Sequence, residues 1–106
     1  MPTFKEWRQN YNGPVEIWVN GAKRMDANVR LSSYIDVEMI NTLGEPEQRH
    51  ESQTSWNGRL DGLSDHELMA LNGQSFELRF PDGRMGEAML LDASGRLQGF
   101  DVVPFD

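Results

Sequence analysis

The sequence predicts a mostly β fold, a small antiparallel barrel or sandwich of about seven strands with one short helix, and three observations carry that expectation. Apolar residues recur with a period of two at Val15, Ile17 and Val19, at Met25, Ala27, Val29 and Leu31, and at Phe76, Leu78 and Phe80, the spacing of a strand with one buried face. Short turn signals, Asn20-Gly21, Pro81-Asp82-Gly83 and Ala93-Ser94-Gly95, separate these runs. Only one segment carries helical punctuation, so a parallel sheet built on βαβ crossovers is excluded. A barrel is favoured over a sandwich because closure removes edges that a seven-strand sheet would expose.

The elements follow in order. Val15–Val19 meets Asn20-Gly21 and returns through Met25–Leu31, a hairpin with one wet and one buried face. Ser32-Ser33 then interrupts the apolar alternation before Ile35, Val37 and Met39 resume it, which predicts a bend or bulge between two separate strands. The run from Thr42 to His50 is polar, contains Gly44 and Pro46, and reads as a mobile loop. Ser52, Thr54, Trp56, Gly58 and Leu60 then share one face of a further strand. Ser64 followed three residues later by Glu67 has the spacing of a capping box, with Leu68, Met69 and Leu71 as the inward stripe and Asn72-Gly73 as the stop. Strands through Phe76–Phe80, Ala88–Leu90 and Leu97–Gly99 complete the chain, and Pro104 marks the end of the last strand or an edge.

With 106 residues, residues 1–106 form one domain with one core. The chain is 38% hydrophobic and 25% charged, the composition of a globular protein. It has no cysteine, which rules out a disulfide framework, a thiolate metal site and a cysteine nucleophile. The first residues lack an apolar h-region, and no stretch is long and apolar enough to span a bilayer. A cytoplasmic location is the expectation. Seventeen acids against ten Lys and Arg give a formal net charge of -7, which disfavours nucleic acid as a partner.

At Tyr11-Asn12-Gly13-Pro14, Trp56-Asn57-Gly58-Arg59-Leu60 and Gly86-Glu87-Ala88 the chain resembles a bacterial domain-of-unknown-function family of small β-barrel modules, found alone or fused C-terminal to flavin-dependent monooxygenases. The likeness covers most of the chain. It departs in the middle, where Ser33-Tyr34-Ile35-Asp36 stands in place of a Gly-His-Phe segment and a longer acidic insertion follows. The resemblance implies an accessory or binding module and a flavoprotein as a partner, and it implies no catalytic chemistry.

The residues themselves offer little for catalysis. His50 and His66 have no ligand spacing between them, Asp36 and Glu38 lie on what alternation makes a solvated face, and no Gly-X-Ser-X-Gly elbow surrounds any serine. No metal, cofactor or catalytic residue is expected, and the protein is read as a non-enzyme. The aromatic residues are the better lead. Trp18 and Tyr34 fall on faces opposite the aliphatic stripes, Trp56 can point either way, and Arg59 lies beside it. Trp18, Tyr34, Trp56 and Arg59 are therefore the candidate partner- or ligand-binding residues. The function expected is a binding module that engages a protein partner; the alternatives are a small-molecule carrier or sensor, or a structural or phage accessory protein working as a homo-oligomer.

Overall fold

The computed structural model describes residues 3–40 and 43–106. Six strands and one helix follow in the order β1 (Thr3–Val19), β2 (Ala22–Ile40), β3 (Gln48–Asp61), α1 (Asp65–Leu71), β4 (Ser75–Arg79), β5 (Met85–Leu90) and β6 (Arg96–Gly99). All neighbours are antiparallel, in the order β1-β2-β3-β6-β5-β4, and β4 pairs back onto β1 to close a barrel. The mostly β architecture with one short helix is as expected. The strand count is six, because Ser32-Ser33 does not divide β2.

The reason lies in strand parity. Leu31, Ser33, Ile35 and Val37 occupy successive inward positions, and all four are buried. Ser33 keeps the alternation without an apolar side chain: its hydroxyl lies 3.3 Å from the Gln9 carbonyl oxygen and 3.2 Å from Asp106 Oδ1. A buried hydroxyl with acceptors at hand carries no orphan penalty, so the strand continues through a residue that reads as an interruption. A second difference falls in β3, which starts at Gln48 inside the segment expected to be a loop. Asn41 and Thr42 lie outside the described residues. The register shift between Ile35 and Val37 sets Thr54 opposite Ile35 and Glu51 opposite Val37. The extra residue moves Ser52 off the face shared by Thr54, Trp56 and Leu60.

The barrel interior is filled. Trp56, Ile17, Leu31, Leu71, Leu78, Leu97 and Val29 are its largest apolar side chains closed to solvent. α1 joins β3 to β4, strands that are not neighbours, and therefore crosses one mouth of the barrel, where Leu68 and Leu71 enter the core. Its start is the expected capping box: Ser64 Oγ accepts from the Glu67 amide at 3.2 Å, and the Ser64 amide donates to Glu67 Oε1 at 3.1 Å. Residues after β6 cross the opposite mouth. Phe105 packs there against Trp56, Phe80 and Tyr11, with ring centroids 6.0, 6.2 and 6.4 Å away.

The three motif segments meet in this packing. Trp56 lies flat over Gly99, where any Cβ would overlap the indole. At Gly86 a Cβ would come within 3.0 Å of Trp56 Cζ2 and 2.6 Å of Pro104 Cγ. Tyr11 meets Phe80 edge-on at 4.9 Å and donates its hydroxyl to the Pro14 carbonyl at 2.8 Å. Partial burial and the nearby Asp82 carboxylate raise its pKa, so the donor stays protonated.

Strands of 17 and 19 residues are far longer than this barrel needs. The surplus, residues 3–10 of β1, 33–40 of β2 and 48–55 of β3, projects as a three-stranded arm. Its length stretches the molecule to 59 × 27 × 22 Å, with a radius of gyration of 16.7 Å against about 13 Å for a compact chain of this size. On the arm's inner face Ile35 and Val37 are closed to solvent, although only one layer of sheet is present. The ion pair of Arg49 with Glu6 links β3 to β1 across them, and Arg49 also pairs with Glu51 on its own strand.

Two expectations test this architecture. Ser64→Ala should lower stability by about 1 kcal/mol and the melting temperature by roughly 4–8 °C, read by thermal unfolding; an unchanged transition would mean that the cap does not hold α1 in place. Gly99→Ala, which forces a methyl into the Trp56 ring, should cost about 3 kcal/mol or prevent folding, measured in urea.

Candidate functional site

The four candidate residues divide between two environments. Trp56 is in the core at 0% exposure, and its Nε1 donates to the Phe100 carbonyl oxygen at 3.3 Å. The ring that could point either way is turned inward by parity with Gly58 and Leu60, and the glycines at 86 and 99 leave room for it. Trp18, Tyr34 and Arg59 face outward, Tyr34 on the arm and the other two on the barrel wall.

Trp18 is held in place by its neighbours. Its Nε1 donates to Glu16 Oε1 at 3.0 Å, and the guanidinium carbon of Arg79 sits 3.6 Å from the ring centroid, a cation–π stack. The register pairs Glu16 with Arg79 and Trp18 with Glu77, and Arg79 Nε contacts Glu77 Oε1 at 2.5 Å. Lys23 lies 3.4 Å from Glu16 Oε2 and 3.0 Å from Asp26 Oδ1. This network spans β1 and β4 at the seam where the barrel closes. The hydrogen bond from Trp18, and secondarily Lys23, lowers the pKa of Glu16.

Tyr34 lies half-buried on the outer face of the arm, paired with Trp7 on one side and Ser55 on the other. Trp7 is 56% exposed, its Nε1 donating to Asn10 Oδ1 at 2.8 Å, and Phe4 is 45% exposed on the inner face. Among the described residues neither arm edge is paired: β4 meets β1 only at Glu16–Trp18, and β6 meets β3 only at Asn57–Arg59. Closure of the barrel thus removes the edges of its wall and leaves those of the arm. The free edge of β3 runs on from the end of β6, beside the exposed Phe100 and Val102.

Arg59 occupies the middle of a row. Arg30 is registered opposite Arg59, and Arg59 opposite Arg96, so three guanidinium side chains share one line across β2, β3 and β6 on the outer wall. Asp61, on β3 two residues from Arg59, grips Arg30 at 2.8 Å to Nε and 3.2 Å to a terminal nitrogen, and Asp92 lies 3.3 Å from Arg96 Nε. Of the ten Lys and Arg residues, eight form an ion pair; among the described residues Arg24 and Arg59 form none. A shallow cleft of about 470 Å³ follows the row, lined also by Asn57, Gln98 and Leu91.

Sequence reasoning missed Phe4 and Trp7 as arm residues and Arg30 and Arg96 as partners of Arg59. The unbroken odd-numbered parity from Met25 to Met39 was the available signal for the arm. The arginine row depends on strand register and had no signal of its own. Among the described residues no group of three or more His, Asp or Glu converges as a metal site, and no helix is long and apolar enough to cross a membrane. Tyr34 and Arg59 share one outer face; Trp18 lies apart from them across the barrel.

The architecture defines the class: a closed antiparallel barrel with a three-stranded arm. Comparison with protein-family models, curated proteins and solved structures finds no match for the chain in any of the three.

The two outward and inward tryptophans should separate on substitution. Trp56→Ala should cost about 3–5 kcal/mol and Trp18→Ala about 1–2 kcal/mol, both by denaturant titration. A group with a lowered folded pKa stabilises at pH above its unfolded value and loses that contribution as pH falls through the folded one. The Trp18 indole N–H resonance should therefore hold its position through the ordinary glutamate range and move only at lower pH, whereas in Glu16→Gln it should not titrate.

Proposed function

We propose that this protein is a non-enzymatic binding module that engages a protein partner through its three-stranded arm. The observation that carries the reading is the pair of arm edges unpaired among the described residues, with the exposed rings of Phe4 and Trp7 on β1 and the exposed Phe100 and Val102 beside the edge of β3. Free backbone donors and acceptors along an edge offer an extended segment of another chain the hydrogen bonds of a new strand, and neighbouring pockets and rings supply selectivity. The edge of β3 suits this better than that of β1. Between Glu51 and the barrel, Ser52, Gln53, Thr54 and Ser55 form an uncharged run, whereas Lys5, Glu6 and Arg8 put charges along β1, the usual guard against strand addition.

The filled barrel supports an interaction at the surface over a carrier that uses the barrel mouth. The motif resemblance favours a flavoprotein as the partner, since the modules that the chain resembles follow flavin-dependent monooxygenases. A second reading, self-association, is favoured by one observation: the arm presents two free edges, so a second copy can supply the missing strand.

The test places a photo-crosslinking phenylalanine analogue at position 4 or 53, with position 85 on the opposite wall as a control. Crosslinks to one partner from the two arm positions alone, lost on Gln53→Lys with Ser55→Lys, are the expected outcome. Equal labelling from all three positions would overturn the arm as the contact surface. A mass in solution above 12.1 kDa that reverts to monomer on the same double substitution would identify the partner as a second copy.

A further inference from the structure

We infer that the row Arg30, Arg59 and Arg96 is a binding site for a small phosphate-bearing anion. Like charges directly opposite one another on a sheet are destabilising, and here three stand in consecutive register on an open face. Their arrangement costs stability in the free protein, and an anion bridging the row would relieve it. The two nearby acids are committed to the outer arginines: Asp61, two residues from Arg59 on β3, holds Arg30 through Nε and one terminal nitrogen, and Asp92 meets Arg96 through Nε. The terminal nitrogens of Arg96, one terminal nitrogen of Arg30 and all the donors of Arg59 have no acid partner among the described residues.

The geometry favours phosphate over carboxylate. Adjacent strands lie about 4.8 Å apart, so the three side chains originate within about 10 Å and can converge on one group. One guanidinium fork satisfies both oxygens of a carboxylate, whereas a terminal phosphoryl group presents three oxygens and accepts from two or three forks at once. Asn57 and Gln98 stand in the adjoining outward row, and Leu91, 51% exposed, ends the cleft beside Arg96. The net charge of -7 opposes a long polyanion at every contact beyond the row, while a compact one feels chiefly the three arginines within a screening length of about 8–10 Å.

The test is calorimetric titration of the full chain with inorganic tripolyphosphate at low ionic strength, against citrate as a carboxylate trianion. Tripolyphosphate should bind and citrate should bind at least about tenfold more weakly. Arg59→Gln should weaken tripolyphosphate binding by about tenfold or more, without lowering the melting temperature of the free protein, because a repulsion has been removed. Arg24→Gln, which deletes the other unpaired arginine, should leave binding intact. ATP separates the two sources of such a group: affinity equal to tripolyphosphate means that the phosphate chain alone is read, and tighter binding means that the rest of the nucleotide lies along the cleft toward Leu91. The inference is overturned if tripolyphosphate does not bind, if citrate binds as well, if Arg24→Gln weakens binding as much as Arg59→Gln, or if a single-stranded oligonucleotide binds more tightly than tripolyphosphate.

Discussion

The fit of the Trp56 indole against Gly99 and Gly86 is the constraint on which the rest of the structure depends. The largest side chain in the core needs a floor without side chains, and the two glycines on β5 and β6 provide it. That contact ties β3 to the two strands that complete the barrel wall, and Phe105 closes the mouth against the ring's edge. Gly58 belongs to the same arrangement, since a Cβ there would run into the backbone of Arg30 and come within 2.8 Å of the Leu31 side chain. The short motifs containing Trp56, Gly58 and Gly86 are thus parts of one packing unit, and their clustering is explained by core geometry.

From that fixed core the long strands extend into a region where burial works differently. Within the barrel, side chains of opposite walls cover one another. In the arm, Ile35 and Val37 of the central strand are covered by their own neighbours, through ion pairs that run from Arg49 to Glu6 and Glu51. Charged side chains with long apolar stems can cover apolar surface while keeping their heads in water. This allows a single-layer sheet to project from the barrel, but it leaves the backbone edges of β1 and β3 without partners.

The outer wall carries two contrasting treatments of arginine. Arg79 is fully used: it stacks on Trp18 and meets Glu77 where β1 joins β4, a local arrangement of alternating charge and ring. Arg59 is registered between two residues of its own charge and forms no ion pair among the described residues. The same residue type therefore closes the barrel at one seam and marks an electropositive line on the far side of an otherwise acidic molecule.

Much of the fold was legible in order along the chain, because period-two alternation, turn residues and the Ser64 to Glu67 capping box are local features whose physics needs only near neighbours. These determined the β class, the single helix, the hairpin at Asn20-Gly21 and the placement of Trp18 and Tyr34 on faces opposite the aliphatic stripes. Other properties required residues far apart to meet. Ser33 could remain inside a strand because Gln9 and Asp106 supply acceptors, Trp56 turned inward because Gly86 and Gly99 lie beneath it, and Arg59 gained two like-charged neighbours through the register of β2 and β6. The sequence by itself determined which residues alternate. Only the tertiary structure decided what each one faces, because the partner of a strand residue is set by pairing across the sheet.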